Sequence, residues 1–71
     1  MMSIDRRCGR RVRVMGGMAE FVGCTGTIVC LEKHGAQRLY RVELDEAVRV
    51  PSVGLVCDDL WEGRFLKTLR S

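Results

Sequence analysis

The sequence predicts an all-β fold: one small five-stranded barrel with a single short 3₁₀ turn before its last strand. Three observations lead there. Between Gly9 and Ile28 the chain reads G-x-x-V-x-V, a glycine-containing loop, then F-x-G-x-x-G-x-I. Polar and apolar residues alternate in short runs before and after that loop, the period of half-buried strands. No stretch shows a helical period of useful length. With 71 residues there is room for one domain and one core, and 46% hydrophobic with 30% charged residues is a globular balance rather than a disordered one.

The elements follow in order. Arg11–Met15 alternates with Val12 and Val14 on one face and is the first predicted strand. Gly16–Gly23 forms the first loop, and Thr25–Glu32, β-branched and apolar, is the second strand, with Cys30 expected in the core beside Ile28. Lys33–Gln37 reads as a polar hairpin loop with Gly35 in the left-handed region. Strand three is Arg38–Leu44, facing Tyr40, Val42 and Leu44 inward; Asp45-Glu46 is a tight turn. Strand four is Ala47–Val50, with Val48 and Val50 inward. Pro51 lacks a ladder donor and stops or bulges the strand, after which Val53–Cys57 resumes an extended run. Asp58–Gly63 resembles one helical turn, capped by an aspartate and ended by glycine, and Phe65–Leu69 is a short closing strand.

The domain reading is a flexible basic N-terminus over residues 1–8 and a barrel over 9–71. The net charge of +3 is mild, but its distribution is uneven. Arg6, Arg7, Arg10, Arg11 and Arg13 crowd the start, whereas Glu43, Asp45, Glu46, Asp58, Asp59 and Glu62 crowd residues 43–62. Such segregation suits a polyanion-binding patch, contacts between identical subunits, or plain solvation. No apolar run approaches the roughly 20 residues that span a bilayer. The first residues lack the apolar core of a signal peptide. A cytoplasmic protein without a membrane partner is therefore expected.

Residues 9–32 resemble a KOW motif, the strand-loop-strand unit of certain ribosomal proteins and transcription-elongation factors. The matching positions are Gly9, Val12, Val14, Gly17, Phe21, Gly23, Gly26 and Ile28, with Gly26 where the motif has its most characteristic glycine. The resemblance implies an SH3-like barrel and a nucleic-acid ligand. The chain is also similar in length to the barrels of type II dihydrofolate reductases, but it lacks their Val-Gln-Ile-Tyr active-site segment, so that activity is not carried over. Its overall pattern, ending in DDLWEGRFLKTL, resembles small barrels of phage and mobile gene cassettes.

Residues able to carry chemistry are few. Cys8, Cys24, Cys30 and Cys57 lack a C-x₂-C knuckle, which argues against zinc. His34, the only histidine, sits in the hairpin loop. No nucleophile-elbow, Walker or Rossmann sequence is present. Neither a catalytic group, a metal nor a cofactor is expected.

The expected function is a non-catalytic, homo-oligomeric binding module for nucleic acid or protein. Its candidate surface combines the first loop (Met18, Glu20, Phe21), the basic edge (Arg11, Arg13) and Trp61, with Phe21 and Trp61 partly exposed for stacking on bases. The alternatives are an oligomeric enzyme or small-molecule binder whose site forms between subunits, and a structural accessory subunit.

Overall fold

Alternation becomes burial most directly on the strand Arg11–Val14, where Arg11 and Arg13 are exposed and Val12 and Val14 fully buried. The computed structural model describes residues 2–3 and 6–69. Its strands are β1 (Met2–Ser3), β2 (Arg11–Val14), β3 (Thr25–His34), β4 (Gln37–Val50), β5 (Gly54–Glu62) and β6 (Leu66–Thr68). Short 3₁₀ turns occupy Ala19–Phe21 and Gly63–Phe65. The strands form one antiparallel sheet in the order β5-β4-β3-β2-β6, with β1 paired to β3. The last strand returns beside the first long one, with Val14 opposite Leu66 and Val12 opposite Thr68. β5 and β6 lie at the two ends of this order.

The core gathers side chains from β2 through β6: Val12, Val14, Ile28, Val42, Leu44, Val50, Trp61 and Leu66, joined by Phe21 from the first loop. Residues from both ends of the strand order meet in this one cluster, so the sheet bends over its own apolar face. The inward positions expected for β4 hold for Val42, Leu44 and Val50, while Tyr40 and Val48 are partly buried.

Several local expectations are corrected. Asp45-Glu46 is not a turn: β4 runs unbroken through it, so the third and fourth predicted strands are one strand of 14 residues. The pairing of β4 with β5 shifts register between Glu43 and Val48, which absorbs a bend without reversing the chain. The reversal comes at Pro51–Val53, where Val53 N–H bonds Val50 O at 3.0 Å and Gly54 follows at φ +105°. Proline presets the first central position of such a turn, and glycine takes the positive φ that ends it. Residues 54–56 therefore pair back on 48–50 instead of continuing the strand.

Asp58–Glu62 is strand, not a helical turn, and Trp61 stands opposite Tyr40. Burial of Trp61 in the core holds this segment in the ladder, and the 3₁₀ turn before the last strand begins later, at Gly63. The hairpin loop expected over Lys33–Gln37 shrinks to Gly35-Ala36, with His34 opposite Gln37 and Gly35 at φ +63°. A β-bulge at Val29 displaces Cys30 from the face of Ile28: Ile28 is opposite Val42, but Cys30 is opposite Arg41. Directly opposed residues share a face, so Cys30 is buried on the Arg41 side and Leu31 takes the inward position.

Residues 1–8 meet two fastenings. Met2–Ser3 pairs with Leu31–Glu32. Arg7 donates to Gly63 O at 3.2 Å and Leu66 O at 2.9 Å, and its guanidinium lies 5.0 Å from the Tyr40 ring centre. Residues 1, 4 and 5 of the expected flexible segment lie outside the described residues.

The close approach of β4 requires a glycine at position 26. A Cβ there would come within 2.4 Å of Glu43 O and 2.8 Å of a Val42 methyl. The β3–β4 ladder closes only over a bare backbone at this point. Gly26→Ala is expected to destabilise the fold by about 1–3 kcal/mol, the range for overpacking a filled core. Urea unfolding of the two proteins measures it, and an unchanged midpoint would show that the ladder can yield.

Candidate functional site

The outer side of β2 carries the basic edge. Arg11 stands opposite Thr27 of β3, and Arg13 lies between Thr25 of β3 and Lys67 of β6. Arg11 is engaged: its two terminal nitrogens donate to both Asp45 oxygens at 2.5 Å, and Nη1 also reaches Thr27 Oγ1 at 3.1 Å. Thr25 Oγ1 donates to Asp45 Oδ2 at 2.6 Å. The Arg11 guanidinium and then the Thr25 hydroxyl hold the Asp45 carboxyl at about 2, against an ordinary 3.8. Asp45 thereby clamps the bend of β4 to β2. Arg13 and Lys67 are exposed and have no ion pair among the described residues.

The first loop brings Met18 and Phe21 to Trp61, but not as a stacking platform. Phe21 is 2% exposed and Trp61 5%, and their rings meet edge-on with centres 5.3 Å apart and planes at 83°. The expected exposure of both rings is corrected: each fills the core, where an aromatic side chain buries the most apolar surface a small domain can gain. Met18 and Glu20 are exposed, with Met18 beside the aromatic pair and Glu20 on the 3₁₀ turn. Of the six candidate residues, Met18, Phe21 and Trp61 line one cavity of about 280 Å³, together with Phe65, Asp59 and Glu62. Arg11 and Arg13 lie apart from it on the outer side of β2.

A second, wider groove of about 540 Å³ runs between Val22–Thr25 and Asp45–Val48. It follows the stretch of β4 beyond Leu44, where pairing with β3 has ended.

Glu32 organises a third polar group. It accepts from Arg41 Nε at 2.5 Å and lies 3.0 Å from His34 Nε2. Arg41 and then His34 lower the Glu32 pKa. Glu32, two positions earlier on the same strand face, gives His34 an acidic neighbour. Burial, and next the charge of Glu32, raise the Cys30 thiol. All four cysteines are free thiols, with Cys30 buried and Cys57 exposed. Among the described residues no three His, Cys, Asp or Glu side chains gather as a metal site would require.

No protein-family profile, curated protein or solved structure matches this chain. Among the described residues no helix is long and apolar enough to cross a membrane.

Sequence reasoning missed Lys67 and Asp45 as neighbours of the candidate arginines, and Glu32 as the partner of His34. The ladder register brings in Lys67, a side-chain contact from beyond the end of the β3–β4 pairing brings in Asp45, and only the i, i+2 spacing of Glu32 and His34 within a strand was a readable signal.

Two outcomes follow. Asp45 has a folded pKa below its unfolded one, so its contribution is present above about 4 and is lost as pH falls through about 2. The stability gap between the parent and Asp45→Asn, read from thermal unfolding at stepped pH, is expected to shrink across that window; a constant gap would contradict the clamp. Second, thiol labelling of the folded protein at pH 8 followed by peptide mass mapping should modify Cys57 well before Cys30. Equal labelling would mean that Cys30 is neither buried nor shifted upward.

Proposed function

We propose that this chain is a small non-catalytic binding module with an SH3-like barrel topology, and that it holds the phosphate backbone of a nucleic acid on the outer side of β2 and β6. The strand order, with a final strand returning beside the first long one after a 3₁₀ turn, supports the topology. The observation that carries the function is the pair Arg13 and Lys67. They stand directly opposite one another across an antiparallel ladder, exposed, with no acid paired to either among the described residues. Like charges so placed disfavour the isolated sheet, and an anionic partner reverses that cost. Thr25, opposite Arg13, adds a hydroxyl to the same side.

Burial of Phe21 and Trp61 removes the base-stacking component, so recognition is electrostatic and tolerant of sequence. Arg11 contributes only when it leaves Asp45.

A second reading rests on the mirror-image pair. Glu43 of β4 stands opposite Asp58 of β5, relieved in part by Arg41 Nη1 at 3.6 Å from Asp58. An acidic pair toward one end of the strand order and a basic pair toward the other are complementary between two copies of the chain, which supports a homo-oligomer joined head to tail.

Fluorescence anisotropy with a mixed single-stranded oligonucleotide tests the first reading. Two phosphate contacts predict that log affinity falls with log salt at a slope of about −1.4, and each charge reversal, Arg13→Glu or Lys67→Glu, removes about half of it. No binding at about 50 mM salt, where the electrostatic component is strong, would overturn it. Light scattering on the protein alone tests the second: an oligomer that dissociates with salt supports it, and a monomer at low salt removes it.

A further inference from the structure

The basic edge of β2 holds an anion, and that anion is part of the chain. Three donors converge on the Asp45 carboxylate: Arg11 Nη1 and Nη2, one on each oxygen at 2.5 Å, and Thr25 Oγ1 at 2.6 Å. A guanidinium that grips a carboxylate with two parallel bonds fits a phosphate in the same way. Arg11 lies two residues before Arg13 on the exposed side of β2, about 7 Å along the strand. Arg13 faces Lys67, and neither is paired with an acid among the described residues. The Asp45 carboxylate therefore occupies an anion position beside two cations that are open to solvent.

The surroundings let this carboxylate leave. The Arg11 and Asp45 side chains are 44% and 39% exposed, and ion pairs so exposed are weakly held. Residues 45–47 have no ladder partner: pairing with β3 ends at Leu44, and pairing with β5 is interrupted between Glu43 and Val48. The groove of about 540 Å³ opens beside Asp45, toward Val22–Thr25. Opening the contact thus breaks no rung of the sheet.

We propose that Asp45 is an intramolecular competitor: it fills a third phosphate position centred on Arg11 and limits the basic edge to two contacts, Arg13 and Lys67. The inference rests on the nucleic-acid reading given above and adds its regulation. Arg11 is satisfied within the chain, so an isolated anion gains little by docking there. Removing the carboxylate, or drawing it into the groove, turns a two-contact surface into a three-contact one.

Asp45→Asn, Arg11→Gln and the two together form a cycle, read by anisotropy with the mixed single-stranded oligonucleotide across a salt series. Asp45→Asn keeps the size and removes the charge. It is expected to tighten binding roughly eightfold at about 50 mM salt and to steepen the slope from about −1.4 to about −2.1, the increment of one further phosphate contact. Arg11→Gln is expected to leave the slope at about −1.4, because Arg11 makes no phosphate contact while Asp45 holds it. The double variant is expected to bind like the parent, with the parent's slope. A native-like circular dichroism spectrum establishes that each variant folds. Should Asp45→Asn unfold, the slope of Arg11→Gln decides: an unchanged slope supports the competitor, and a drop to about −0.7 would mean that Arg11 already contacts phosphate in the parent, which overturns it. Folded Asp45→Asn that binds no tighter than a binding parent would overturn this inference alone. So would a double variant that keeps the gain, since the gain would then come from net charge and not from Arg11. No binding by the parent or any variant at about 50 mM salt would overturn the nucleic-acid reading itself, and this inference with it.

Discussion

One constraint governs this molecule: a sheet with no covering layer must bury its apolar face against itself. Among the described residues the helical pieces are two three-residue 3₁₀ turns, too short to form a second layer. The sheet answers with two irregularities. A bulge at Val29 turns β3, and a register shift between Glu43 and Val48 turns β4. Both bend strands that a regular ladder would keep straight, and together they let Val12, Val42, Val50 and Leu66 meet in one cluster. Phe21 and Trp61 then fill the centre from the first loop and from β5.

The same bending sorts the charges. Arg11 and Asp45 become partners because the bend of β4 lies over β2, and Thr25 and Thr27 complete the clamp from the strand between. Arg41, Glu32 and His34 form a comparable group beyond the bulge, with Cys30 drawn beneath them. Charges tied down in this way belong to the fold. Arg13 and Lys67 stand opposite one another without such a tie among the described residues, and Glu43 faces Asp58 with only Arg41, 3.6 Å from Asp58, to relieve the pair. Surface charges placed against their own kind cost stability.

Much of the fold was legible in the chain. The alternation of Val12 and Val14, the β-branched run from Thr25, and the inward set Val42, Leu44 and Val50 are local patterns, and they became strands with the expected faces. Gly35 announced its hairpin, and a 3₁₀ turn precedes the last strand. Less of the site was legible. Two adjacent acids at 45 and 46 resemble a turn, yet the carboxylate at 45 was needed by an arginine 34 residues away. Aspartates at 58 and 59 resemble a helix cap, but the indole two positions on was needed by the core. Phe21 in a glycine-rich loop resembles an exposed tip, but it is the other half of that aromatic contact.

The sequence by itself determined most of the strand content, the inward positions Val12, Val14, Ile28, Val42, Leu44 and Val50, and the uneven placement of charge. These depend on side-chain alternation and backbone preference, which act between near neighbours and need no knowledge of the rest of the chain. Only the tertiary structure decided that β4 is one bent strand, that Cys30 changes faces, that Arg11 is tied to Asp45 while Arg13 faces Lys67, and that Phe21 and Trp61 meet in the core. Each of those depends on which distant residues a curved sheet brings into register, and curvature follows from burying the whole core at once.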